Sequence, residues 1–364
     1  MAEKTLTTRQ LNRATLARQM LLARESLTPV QAVERLAGMQ AQEPKPPFIG
    51  LWTRIEGFEP QQLRDAIARR KIVRATLMRG TLHLMSARDY RALRPVLAPM
   101  LEDAMRVMGA RAKGIELEEV LPVARELFAG SALGFDEVRA ELSKRYPDLY
   151  DRGLGYAVRL NLPLVMVPND DPWAFGRGTP FTLAEEWLGE PLAKRPSPQR
   201  LASSYLAAFG PASSADMQAW SGLRESREIL DGMRKKLRTF KAEKGTELFD
   251  LPGAPRPAED VPAPPRFLPE FDNLVLAHAD RTRVIAEEHR PLVATKNLRI
   301  KSVFLLDGAA RGVWRSEQKR RIATLHLEPF GKLTKKALGE LHEEGEALLR
   351  FLHPEAETYR SQPK

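Results

Sequence analysis

The feature that most limits the fold is an order of elements: helical segments followed by a β-prone hairpin, met three times along the chain with no visible identity between the copies. In the first, Thr7–Leu22 carries Leu11, Ala14, Leu16, Leu21 and Leu22 at helical spacing behind a threonine cap, and a second helix runs from Thr28-Pro29 to Leu36. Pro60 opens a third over Gln61–Arg70. Ile72–Leu77 and Thr81–Leu84 are then β-prone runs joined by Met78-Arg79-Gly80. This is the order of a winged-helix unit. After a long helical stretch from Ala87 to Val107, it returns as Leu117–Phe128, Phe135–Tyr146 and Asp151–Leu160, followed by strands at Leu164–Val167 and Thr179–Thr182. A third copy has helices at Gln199–Phe209, Ser214–Trp220 and Glu225–Lys236 and a hairpin from Leu237 to Leu251 around Lys244-Gly245.

Proline then dominates from Leu251 to Pro265, the clearest linker in the chain. Beyond it the pattern predicts strands at Arg283–Ile285, Ser302–Leu306, Gly312–Arg315 and Arg321–Leu327, with Asp307-Gly308 as a turn, and a last helix over Thr334–Phe351. The expected class is α+β: three tandem winged-helix motifs, residues 1–110, 111–195 and 196–255, and a β-rich C-terminal domain over 256–364.

Zero cysteines exclude disulfides, thiolate-held clusters and Cys-based zinc sites, and six scattered histidines give no HExxH-type spacing, so no metal or other cofactor is expected. Phosphate loops, dinucleotide fingerprints and GxSxG elbows are missing as well. A net charge of +10 fits a polyanionic partner, because each neutralised phosphate releases counterions. Basic clusters stand at Arg69-Arg70-Lys71, Arg234-Lys235-Lys236 and Lys319-Arg320-Arg321, with Arg315 just before the last. Aromatic residues are sparse at 7%, which favours duplex over single-strand binding. With no apolar run near 18 residues and no signal-peptide layout, the expected setting is cytoplasmic, beside the nucleoid, without membrane contact.

Candidate chemistry centres on Gly38-Met39-Gln40-Ala41-Gln42-Glu43-Pro44. A residue before proline is biased to extended geometry, and in an extended segment positions i and i+2 project to one side, so both carboxamides would share one space. Amides can hold a water or a polar edge without adding negative charge near phosphate. The same pair could instead cap and solvate a helix end. Glu43 is a further candidate base, or a surface partner of Lys45; His83 could face the same pocket, or be a hydrogen-bonded sheet residue. Arg79 at the hairpin turn could meet phosphate. Phe267, Leu268 and Phe271 read as core, Asp272 and Asp280 as partners of arginines or as catalytic acids, and Trp314 as core or part of a groove-entering element.

Taken together, Gly38-Met39-Gln40-Ala41-Gln42, Arg79-Gly80-Thr81-Leu82-His83-Leu84, Leu268–Asn273 with His278–Arg281, and Asp307-Gly308 before Gly312–Arg315 resemble the winged-helix DNA glycosylases of the AlkZ and YcaQ type over nearly the whole chain. The glutamine at Gln42 resembles the AlkZ-like branch, the other branch having aspartate there. The resemblance implies a monofunctional, monomeric glycosylase acting on alkylated purines in duplex DNA, with interstrand crosslinks among the family's substrates and Gln40 and Gln42 as catalytic positions. The alternative is a non-catalytic winged-helix DNA-binding protein, a regulator or repair accessory factor.

Overall fold

A computed structural model describes residues 4–295 and 299–363. Its strands, in chain order, are β1 (Thr5–Leu6), β2 (Met39–Gln40), β3 (Ile72–Thr76), β4 (Leu82–Ser86), β5 (Leu164–Met166), β6 (Phe181–Leu183), β7 (Arg238–Ala242), β8 (Glu247–Asp250), β9 (Arg266–Leu268), β10 (Val303–Leu306), β11 (Ala309–Lys319), β12 (Ile322–Pro329) and β13 (Thr358–Pro363). They form sheets ordered β1-β7-β8, β2-β4-β3-β5-β6 and β13-β12-β11-β10-β9. The architecture is mixed α+β. Each expected hairpin is present, and the first two are fused edge to edge where Ala75 bridges Val165.

Local chemistry explains the helices. Thr7 and Thr28 each form a capping box, with Gln10 and Gln31 answering three residues on, ahead of Thr8–Arg18 and Pro29–Arg35. Pro46-Pro47 starts a helix over Pro46–Trp52, since proline at the first helical position lacks only an N–H that would be unpaired anyway. The stretch from Ala87 to Val107 is not one helix: it divides into Ala87–Leu93 and Ala98–Ala104, with Pro95 and Pro99 in and after the break. Arg283–Ile285 is a turn rather than a strand.

Two apolar cores carry the N-terminal two-thirds. Tyr205, Phe209 and Trp220 pack with Leu77, Met78 and Leu97 in one; Phe48, Leu51, Leu84, Phe128 and Leu164 fill the other. The C-terminal sheet packs Phe267, Phe304 and Trp314 against the helix Lys335–Leu352 through Leu341, Leu348 and Leu349. Trp314 is therefore core, its indole N–H donating to the Leu268 carbonyl at 2.9 Å. Polar ties join distant segments. Arg54 meets Asp272 with two 2.9 Å hydrogen bonds in a buried pair, Arg18 meets Asp250 in another, and Arg13, fully buried, reaches Asp307. Asp272 is thus an arginine partner, as one of the sequence readings had it.

Candidate active site

The glutamine motif begins at a backbone reversal. Gly38 has φ +91°, a left-handed conformation that glycine adopts without penalty, and a Cβ there would stand 3.2 Å from the Leu84 carbonyl oxygen. The chain then enters β2, an edge strand on β4 in which Gln40 lies opposite His83, and the Ala41 N–H continues the ladder to the Leu82 carbonyl at 2.7 Å. Beyond Ala41 the side chain takes over: the Leu82 N–H donates to Gln42 Oε1 at 3.3 Å. Gln40 and Gln42 accordingly both line one cleft of about 780 Å³, as the extended-segment argument expects.

Opposite them stand Phe271, Leu276, Pro291 and Ile300, an apolar wall supplied by the C-terminal region. Arg79, Thr81, Arg281, Arg290 and Glu287 form the polar side, with Arg290 on Glu287 at 3.5 Å. Burial first, and Arg290 second, lower the pKa of Arg281 from the usual arginine value, as expected when cations crowd a partly desolvated cleft.

Arg79 holds the motif from the first hairpin turn. Its backbone is left-handed at φ +56°, and its guanidinium donates to Gln40 Oε1 at 2.7 Å and to the Trp220 carbonyl. Desolvation, then Arg281, push it down to about 10, which leaves it charged at neutral pH. Arg74, which the sequence reading overlooked, clamps the motif from β3: its Nε donates to the Ala41 carbonyl at 2.9 Å and its Nη2 to that of Gln42 at 3.0 Å. Arg281 and Arg290 were also missed as cleft residues. No local pattern marks any of the three, because each reaches the cleft through tertiary packing.

His83 does not face the cleft as expected. It is fully buried, with Nδ1 3.0 Å from the Thr81 carbonyl and Nε2 unpartnered. Burial, and then Arg79, push it down to about 3, so it is neutral across the physiological range. His278 is likewise held at about 3, first by burial and then by Arg283. Unfolded, each titrates near 6.5, so the unfolded chain binds more protons at every pH between those values. Stability is accordingly full above about pH 6.5 and falls as pH drops through the window, by up to roughly 1.4 kcal/mol per pH unit for each histidine. Urea unfolding at pH 7 and pH 4.5 should display this loss, and a flat profile would contradict it.

Glu43 is exposed at the lip beside Gln42. The remaining basic candidates lie elsewhere. Arg69, Arg70 and Lys71 are exposed at the end of Pro60–Ala68, where Arg70 stacks on Trp187 at 4.2 Å. Arg315, Lys319, Arg320 and Arg321 are exposed along and at the tip of the β11–β12 hairpin, where Arg321 pairs with Glu357. Among the described residues, no cluster of three or more acidic, His or Cys side chains could hold a metal.

Residues 33–351 match the model of the family described as DNA glycosylase AlkZ-like. The chain belongs to this family. It is a DNA glycosylase, and the non-catalytic alternative falls. The chain is similar to an interstrand DNA cross-link repair glycosylase of Streptomyces sahachiroi, 26% identical over 340 residues and covering 84% of this chain and 87% of that protein. Its fold is similar to that of Streptomyces sahachiroi DNA glycosylase AlkZ, with TM-score 0.81 at 22% identity over 99% of this chain and 100% of the other. No helix among the described residues of this glycosylase is long and apolar enough to cross a membrane.

Proposed function

We propose that this glycosylase hydrolyses the N-glycosidic bond of purines made cationic by alkylation at N7 or N3, in duplex DNA, with Gln40 and Gln42 as its catalytic pair. The observation that carries this reading is the shared cleft of two carboxamides, one of them oriented by a half-buried arginine. An alkylated purine already bears a positive charge, so its departure needs no protonation and the attacking water needs no strong base. Gln42 Oε1, which takes one hydrogen bond from Leu82, keeps a lone pair for a water aimed at C1′. The Gln40 amide donates to that water or to the sugar. As the C1′–O bond forms, the C1′–N9 pair passes to the purine and cancels its charge. The water's proton goes to solvent, with Glu43 the adjoining carboxylate.

Positioning and electrostatics supply the rate in this scheme. Phe271 offers the base a ring to stack on, and Arg281 and Arg290 offer the flanking phosphates positive charge. Basic residues outside the cleft, Arg69, Arg70, Lys71, Arg315, Lys319, Arg320 and Arg321, extend the DNA contact. The repeated helix-and-hairpin order supports three winged-helix units over 1–110, 111–195 and 196–255, ahead of the β-rich 256–364, acting as a monomer that wraps a duplex without reading its sequence. The activity named for the Streptomyces relative supports adding interstrand crosslinks to the substrate range.

The test is direct. Purified protein incubated with a duplex carrying one 7-methylguanine should release free 7-methylguanine and leave an abasic site intact, since no strand cleavage is expected of a monofunctional enzyme. Strand scission accompanying release would overturn the monofunctional assignment. Retention of the base would overturn the substrate.

A further inference from the structure

Gln42 lines a second cleft as well, of about 740 Å³, on the other side of the motif. The two spaces differ in chemistry. The first gathers Arg79, Arg281 and Arg290 with Glu287 and has Phe271 as its one aromatic ring among the described residues; the second is walled by several aromatic rings, Trp173, Phe135 and Phe175 among them, with charges of both signs around them. Trp173 is half-buried in the loop between β5 and β6, its backbone N–H donating to the Asp171 carboxylate at 2.8 Å and its ring in an edge contact with Phe48 at 5.0 Å. The Lys45 ammonium lies 5.4 Å from the Trp173 ring centre, so one face of the indole already receives a cation. Burial lowers the pKa of that ammonium, the sign of a charge poorly served by water.

This volume lies in the range that encloses a ligand of drug size and exceeds what a methyl group would need. A ligand here would be reached from the first cleft across Gln42 alone. Resting on the glycosylase reading above, we propose that the second cleft receives a flat ring tethered to the alkylated purine, which stacks on Trp173 while the purine and its sugar occupy the arginine-lined cleft. Such a ring can be the appendage of a bulky monoadduct or the second base of a crosslink. Methylated purines leave the second cleft unfilled.

Single-turnover base release from duplexes carrying 7-methylguanine, 7-benzylguanine or 7-(cyclohexylmethyl)guanine tests this. Trp173→Ala is expected to slow release of the benzyl adduct about tenfold, the scale of one lost base–aromatic stack, while changing 7-methylguanine release less than about twofold. The methyl substrate doubles as the measure of correct folding. The cyclohexyl adduct, matched in size but not flat, should be less sensitive than the benzyl one, and Trp173→Phe should restore most of the benzyl rate. If Trp173→Ala does not fold, Trp173→Leu keeps apolar bulk without the ring and runs the same comparison. A duplex crosslinked N7 to N7 by a short alkyl chain separates the sources: sensitivity there assigns the cleft to a second base, and sensitivity confined to the benzyl adduct assigns it to appendages. Equal losses on methyl and benzyl substrates, or none on either, would overturn the proposal. Wild-type protein that releases neither base would instead defeat the glycosylase reading beneath it.

Discussion

Gln42→Ala is expected to lower the single-turnover excision rate of 7-methylguanine by tenfold or more while the affinity for undamaged duplex changes little. Losing one preorganised polar group at a reacting centre commonly costs about 10²–10³ in rate, and Gln42 presents its amide to the cleft from a frame fixed by Arg74 on its carbonyl and Leu82 on its Oε1. The substitution removes the amide and its Leu82 contact while Arg74 still holds the backbone carbonyl. Gln40→Ala should also slow the reaction, and the double variant should fall short of the product of the two effects, because groups that hold one water act as a unit. Equal losses of rate and affinity would move Gln42 from catalysis to binding. Rates and dissociation constants measured on the same duplex decide between these outcomes.

Asp272→Ala should be the most damaging substitution outside the cleft. It strips Arg54 of its carboxylate partner where both side chains are almost wholly inaccessible, at 1% and 4% exposure. Breaking a buried pair from one side costs roughly 3–5 kcal/mol, because a charge stays in the interior uncompensated. The loss should appear in urea unfolding, and the double replacement Arg54→Met with Asp272→Leu should recover much of it. Activity should suffer beyond stability. Asp272 lies between Phe271, which faces the cleft, and Asn273, whose amide donates to the Gly38 carbonyl at 3.2 Å just ahead of the glutamines. A variant as stable as the parent would remove Asp272 from this role.

The glutamine pair was legible in the sequence because its geometry is local: a proline ahead, alternation of period two, and a glycine at the reversal. The capped helices and the hairpins were legible for the same reason. Arg79 at a hairpin turn resembles ordinary surface charge, and its hold on Gln40 and the Trp220 carbonyl is tertiary. Arg74 sits in a β-prone run as an ordinary strand residue, and its grip on the motif 32 and 33 positions away is tertiary. Strand β13 pairs in parallel with β12 across a whole helix, and β1 joins the sheet of the third hairpin, pairings that no local pattern encodes. The short helix that Pro46-Pro47 opens found no place in the sequence reading, because seven residues behind a proline pair carry too little periodicity to mark it.

The first helix, Thr8–Arg18, finds its polar partners at Asp250 and Asp307, 232 and 294 positions further along the chain. Translated well ahead of both aspartates, it must wait with Arg13 and Arg18 still hydrated until Asp307 has followed. Docking of that segment is then a late event in biogenesis, at the slow end set by non-local contacts. Partly made chains would hold their second and third helical groups before the N-terminus has locked the molecule together.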